Sequence, residues 1–382
     1  GDFMDILIKK GFICPVVSKA FTGDILISGG KIKKISESIT AKDVQVIDAK
    51  GKFVLPGFID AHSHIGLFEE GVGQYYQDGN EATDPITPQV RAIDAFNPQD
   101  SAIKKALSGG VTTTMILPGS ANAVGGQGAI IKFNSQIVDQ MIIKEPAGLK
   151  MALGENPKRF YGESMKRTPG TRLGTAAMIR EYFVKTQSYS EKKQKGDYEK
   201  DLRYEIGEMV LKRKIPARIH AHRMDDILTA VRIANEFEFD FVIEHATEAY
   251  KIIEYLKARN VKMVLGPLFS FATKLELKDK TFEAVSIAVK NNVPVALMCD
   301  HPVVPMEYTI MQLGTALKYG VSEEELLKLV TINPARILGI DDSTGSLQKD
   351  KDADIAIWSG NPFEMKSCVE QVLIQGECVF SR

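Results

Sequence analysis

Apolar and polar residues alternate in short runs near the start of the chain. Asp5-Ile6-Leu7-Ile8, Asp24-Ile25-Leu26-Ile27, Lys31-Ile32-Lys33-Lys34-Ile35 and Val44-Gln45-Val46-Ile47 are separated by turn residues such as Gly29-Gly30 and Ala49-Lys50-Gly51. A period of two puts one face of each run inward, which predicts half-buried antiparallel strands. The far end repeats the pattern in Ala353–Trp358, Val369–Ile374 and Cys378-Val379-Phe380, with Gln375-Gly376-Glu377 as a turn. The expectation is one small β-sandwich built from residues 1–56 and 340–382.

Between these ends, strand-like runs alternate with helical periodicity. The strand candidates are Phe58–His64, Val111–Leu117, Ala129–Phe133, Leu149–Leu153, Ala217–His222, Asp240–His245, Lys262–Gly266 and Val295–Asp300. Helical patterns such as Asp100–Leu107, Met224–Phe237, Thr281–Asn291 and Glu307–Tyr319 separate them. Eight strand–helix repeats fit a closed (β/α)8 TIM barrel over residues 57–339, an α/β fold whose chemistry gathers at the carboxyl ends of the strands. The connection from Gly66 to Asn97, which carries Tyr75 and Tyr76, is long enough to be a lid or binding loop. The glycines between Pro118 and Gly128 read as tight turns, since no Lys-Ser/Thr pair follows them as in a phosphate loop. Ser190–Lys195 reads as an exposed charged tip.

Composition narrows the classes. The chain has 382 residues, 44% of them hydrophobic, and a formal net charge of -1. That balance gives no electrostatic reason to expect nucleic acid or an anionic membrane as partner. No apolar stretch reaches membrane-span length and no charged-then-apolar leader is evident. Four scattered cysteines suit reduced thiols and a cytoplasmic protein. A small-molecule substrate is the expected partner, with a homo-oligomer left open.

All six histidines lie at or just past the end of a strand-like run: His62, His64, His220, His222, His245 and His301. In a strand, residues i and i+2 share a side, so His62 and His64 can present two imidazoles to one cation. The first, fifth and sixth strands end in imidazoles and the eighth in Asp300, and a barrel brings those ends to one mouth. Imidazole with carboxylate suits Zn2+, and also Mn2+, Fe2+ or Co2+.

The run Val54-Leu55-Pro56-Gly57-Phe58-Ile59-Asp60-Ala61-His62-Ser63-His64 resembles the amidohydrolase superfamily, the metal-dependent hydrolases related to imidazolonepropionase, dihydroorotase and urease. Gly110-Val111-Thr112-Thr113, Thr331–Gly339 and Gly345-Ser346-Leu347 with Lys351–Asp354 resemble its second strand, final helix and return to the terminal β domain. The resemblance covers nearly the whole chain. It implies that His62, His64, His220 and His245 ligate metal. It also implies that Asp300 touches metal and takes a proton from the attacking water, and that His222 faces substrate or a metal-bound oxygen. Strand four departs from the pattern, because Lys150, the counterpart of a carboxylated bridging lysine, lies early in it. Glu155 lies at the carboxyl end, as in relatives with a glutamate ligand, and is the favoured choice; the metal count, one or two, stays open with it. Arg223 and His301 are the candidate substrate contacts. The implied reaction is hydrolysis of a non-peptide, probably cyclic, amide, with ring deamination, sugar N-deacetylation and a non-catalytic scaffold as alternatives.

Overall fold

The computed structural model describes residues 4–73 and 77–382; Tyr75 and Tyr76, singled out above in the first long loop, lie outside the described residues. The chain opens with five strands, β1 Ile6–Ile13, β2 Phe21–Ser28, β3 Lys31–Ser36, β4 Gln45–Asp48 and β5 Phe53–Pro56. Eight more follow: β6 Phe58–Ser63, β7 Val111–Ile116, β8 Val124–Lys132, β9 Ile142–Ala152, β10 Ala217–Ala221, β11 Phe241–His245, β12 Lys262–Leu265 and β13 Val295–Leu297. The chain closes with β14 Ile355–Trp358, β15 Val369–Ile374 and β16 Glu377–Ser381.

Both chain ends share one sheet, in the order β16-β15-β14-β5-β1-β2-β3, with β4 paired to β1. The join is antiparallel pairing of β14 with β5, Ile355 opposite Pro56 and Trp358 opposite Phe53. Alternation does here what it predicts: Ile8, Ile25, Ile27, Ile32, Val54, Ile355 and Leu373 form a separate apolar cluster, while Lys31 and Lys33 on β3 are exposed.

The remaining strands form a second sheet in sequential order from β6 to β13. Its two end strands face each other: His64 N donates to His301 O at 3.0 Å, and Cys299 N donates to Asp60 Oδ2 at 2.9 Å. The pairs β6–β7 and β9 through β13 are parallel, as expected. β8 departs from the expectation and runs antiparallel to both neighbours. Only Leu117–Ala123 separates β7 from β8, too short for the helical crossover a parallel return needs. Of the glycines read as turns, Gly125, Gly126 and Gly128 lie inside β8. Gly128 is required there, since a Cβ would stand 2.5 Å from Leu117 Cδ2.

Helices cover the outside of this sheet. The helix Ser101–Ser108 begins at Asp100, whose side chain accepts from Ala102 N. The longest, Arg172–Gln194, absorbs the expected charged tip into its last turn. Lys193 there reaches Glu205 and Glu208 of the helix Leu202–Leu211, which turns a solvated run into a helix–helix contact. The final helix, Ile332–Leu338, plugs the amino-terminal end of the strands. Its Ala335, Ile337 and Leu338 pack with Ile59, Val242, Val264 and Ala296. No helix of the described residues is long and apolar enough to cross a membrane.

Candidate metal centre

The carboxyl ends of β6, β10, β11 and β13 bring the predicted donors together in two groups. One is His62, His64 and Asp300; the other is His220, His222 and His245. All six are buried, between 0% and 8% exposed. The groups adjoin, with ring centroids 5.1 Å apart for His62 and His245 and 4.2 Å apart for His220 and His245. The backbone is bent to achieve this. His245, Ala246 and Asp300 have φ of 72°, 50° and 54°, a left-handed region that is costly for residues with side chains and is held where the surroundings demand it. At the end of β11 this bend lets consecutive residues, Glu244 and His245, both face inward.

A second layer of partners sets the tautomers. His62 Nδ1 meets Glu244 Oε2 at 2.8 Å, His64 Nδ1 meets Leu117 O at 2.7 Å and His245 Nδ1 meets Gly266 O at 2.9 Å. Each partner is an acceptor, so each Nδ1 carries the proton and leaves a lone pair on Nε2. His222 Nδ1 contacts Thr247 Oγ1 at 2.7 Å. Burial pushes the His64 pKa down, and pushes those of His220, His222 and His245 well below the usual imidazole range. Burial opposes ionisation of Asp300, but the surrounding imidazoles, His245 first and then His62 and His64, outweigh it and leave its pKa well below the carboxylate range. Neutral imidazoles and an ionised carboxylate are the states that ligate metal.

This arrangement fits a cation. The Nε2 atoms of His62 and His64 each lie 3.2 Å from Asp300 Oδ1, so two lone pairs face an anionic oxygen. Neither His62 Nε2 nor Asp300 Oδ1 has a hydrogen-bond partner, and both ring nitrogens of His220 are orphaned as well. Buried polar atoms left this way are costly unless something positive satisfies them.

Two residues bear on strand four. Lys150 is fully buried, its Nζ has no partner, and burial lowers its pKa to about 8 against the pull of Glu244 and Asp300. Glu155, expected as the ligand, belongs to neither donor group. It begins the short helix Glu155–Lys158, and its backbone N donates to Glu276 at 3.0 Å.

One of the two expected substrate contacts separates from the centre. Arg223 is held by Asp225 through two contacts, at 2.9 and 2.8 Å, with its side chain 38% exposed. It caps the outer start of the helix Met224–Phe237 instead of facing the histidines. His301 is buried with both ring nitrogens unpartnered, and burial lowers its pKa.

Three residues escaped the sequence reading. Glu244 and Arg218 are both fully buried. The guanidinium of Arg218 holds Glu244 through Nε and Ala61 O through Nη2, the latter at 2.7 Å. A signal for both was present, because a charged residue inside an otherwise apolar strand, two places before His220 or adjoining His245, must be buried and paired. Glu276, 1% exposed, lies on the loop after β12, with Oε1 3.9 Å from His220 Nε2, 3.7 Å from His222 Nε2 and 2.6 Å from Lys274 Nζ. Gly154, at φ 86°, makes room for it: a Cβ there would stand 2.7 Å from Glu276 Oε2.

Comparison with known proteins places the centre in context. Amidohydrolase tasK of Hapsidospora irregularis is 29% identical over 94% of this chain, which spans 40% of that protein's length. Imidazolonepropionase of Thermoplasma volcanium is 24% identical over 94% of this chain and 90% of its own. The crystal structure of an amidohydrolase from Thermotoga maritima MSB8 superposes with a TM-score of 0.97 at 58% identity, covering 99% of this chain and 100% of that one. The model of the amidohydrolase family matches residues 53–379. The expected resemblance is thereby met: the chain belongs to the amidohydrolase family and is a hydrolase of carbon–nitrogen bonds.

Proposed function

We propose that the protein hydrolyses a small, non-peptide, cyclic amide at a centre holding two divalent cations, Zn2+ being the best match to the donors. The single observation that carries this reading is the pair of adjoining donor groups with an unpartnered lysine buried beside them. His62, His64 and Asp300 would hold one cation, and His220 and His245 the other. Lys150, in preference to Glu155, would serve as the strand-four donor. A lysine with pKa near 8 keeps a free amine fraction at neutral pH, which carbon dioxide can convert to a carbamate carrying two oxygen donors. The name of the imidazolonepropionase relative supports a cyclic substrate. Glu155, the feature that favoured sugar deacetylation, stays outside the donor groups. A non-catalytic scaffold is disfavoured by the intact donor set, and ring deamination remains the nearest rival chemistry for the same residues.

A cation held by these residues would supply acidity, making water a nucleophile at neutral pH. Asp300 then accepts the proton of the attacking water and returns it to the leaving nitrogen, which would otherwise depart as a strongly basic anion. His222, oriented by Thr247, offers its Nε2 edge to the substrate oxygen, and His301 lines the same side beside Asp300. Arg223 has no part in this reading. The fold reading that goes with it is a closed eight-stranded, TIM-like barrel over residues 57–339, with β8 antiparallel, carrying a β-sandwich from residues 1–56 and 340–382. The four free cysteines support a cytoplasmic setting.

The test is Asp300→Asn. Turnover of a cyclic-amide substrate found by panel screening should fall by roughly 10²–10⁴, while metal content by elemental analysis stays near wild type. Undiminished turnover sinks the assignment.

A further inference from the structure

The opposite end of the strands holds a different concentration of charge. A cavity of about 440 Å³ opens where β9 to β12 begin, between the strand entries and the final helix. Six cationic residues line it: Lys144, Arg213, Lys214, Arg259, Lys262 and Arg336. Asp240 is its one carboxylate. In a chain with 48 basic and 49 acidic residues, such a local imbalance needs a reason. Among the described residues none of the six is in an ion pair within 4.0 Å. The partners they have are carbonyls, Leu338 O for Lys144, Glu238 O for Arg213 and Tyr255 O for Arg259, whose guanidinium also lies 3.6 Å over the Tyr255 ring; none is a carboxylate.

A second observation is independent of this surface charge. Arg218 also lines the cavity and is fully buried. Its Nε and Nη2 are engaged by Glu244 and Ala61, but Nη1 has no partner. The walls are partly apolar, with Phe239, Phe241, Ile337 and Leu338 among them.

We propose that this cavity is a second binding site, separate from the metal centre, for a small organic phosphate of nucleotide size. Its volume lies in the range of small-molecule sites. The forked donors of Arg213, Arg259 and Arg336 match phosphate oxygens bidentately. A low-dielectric concavity lined by one sign of charge concentrates anions. The apolar walls receive the organic part, which a free inorganic ion lacks. Nothing in this depends on which amide the metal centre hydrolyses.

The experiment is calorimetric titration of the metal-loaded protein with ADP and with adenosine, at about 50 and 300 mM salt. ADP should bind at least tenfold tighter than adenosine and weaken as salt rises. Lys262→Gln combined with Arg336→Gln should reduce ADP affinity at least tenfold, and both residues are exposed, so the fold should survive; Arg259→Gln is the second variant if it does not. His220→Asn should leave ADP affinity unchanged. Equal binding of ADP and adenosine, or ADP affinity unaltered in the cavity variants, overturns the proposal. Loss of ADP binding in His220→Asn instead would place the nucleotide at the metal centre and overturn it equally.

Discussion

The two donor groups at the mouth of the sheet are built from the same residue type but are not equivalent. His62 and His64 come with their own carboxylate, Asp300 at 3.2 Å from both Nε2 atoms, and His62 is braced by the buried Glu244–Arg218 pair. His220, His222 and His245 are three neutral imidazoles whose nearest carboxylate, Glu276, stands 3.7 to 3.9 Å from two of them and is already engaged by Lys274. The first group can neutralise part of a dication's charge by itself. The second requires an anion from elsewhere, and Lys150 is the residue placed to become one. The contrast predicts that the second cation position depends on strand four and the first does not.

Lys150→Met tests that dependence most strongly. It should lose about one equivalent of metal per chain by elemental analysis, with turnover falling by roughly 10² or more, since both positions serve the reaction. Retention of two equivalents would mean that Glu155 or Glu276 supplies the bridge. A smaller effect belongs to the first group. Glu244→Gln keeps the shape of the side chain but weakens its hold on His62 Nδ1, and should cost about 10–100-fold in metal affinity, the usual consequence of removing an outer-shell carboxylate. Chelator competition measures it, and an affinity within twofold of wild type would show that Glu244 serves only Arg218.

The histidines also make the metal-free protein sensitive to acid. Five of the six have pKa values lowered by burial. Above about pH 6.5, the ordinary imidazole value, both folded and unfolded states are neutral and the shift contributes nothing. Below it, the unfolded chain takes up protons that the folded chain resists, so stability declines as pH falls, before most carboxylates titrate. The melting temperature of the metal-free protein should therefore drop by several degrees between pH 7 and pH 5. Bound metal, which competes with those protons, should flatten the slope. Equal slopes with and without metal would detach the histidines from metal binding.

Much of this was legible in the sequence, and the exceptions have physical causes. The positions of His62, His64, His220, His245 and Asp300 follow from strand periodicity, because apolar runs ending in a polar residue mark where a buried strand meets the mouth. The antiparallel β8 was not legible: glycines that permit close backbone approach within a strand are the same glycines that make turns. The choice between Lys150 and Glu155 was not legible: Lys150 lies early in the predicted strand, where β9 pairs it with Arg218, and only the fold puts its charge near His64, His220 and Asp300. Glu276 gave no signal, since Leu275-Glu276-Leu277 has the look of any surface loop; only the tertiary fold turns it toward the histidines.

Arg223 marks the limit of reading chemistry from adjacency. It follows His222 directly in the chain, but the β10 strand has ended and the next side chain swings outward to Asp225. Its pKa is raised first by that hydrogen bond, and the pair is more than a third exposed on both sides, so solvent screening reduces its worth to somewhere in the range of about 0–1 kcal/mol. Arg223→Ala should leave kcat/KM within about twofold of wild type and shift stability by less than about 1 kcal/mol, measured by steady-state kinetics and denaturant melts. A loss of tenfold or more in kcat/KM with unchanged metal content would show that the loop after β10 rearranges on substrate binding and brings this guanidinium into the site, because in the present arrangement Asp225, not a substrate carboxylate, occupies its fork.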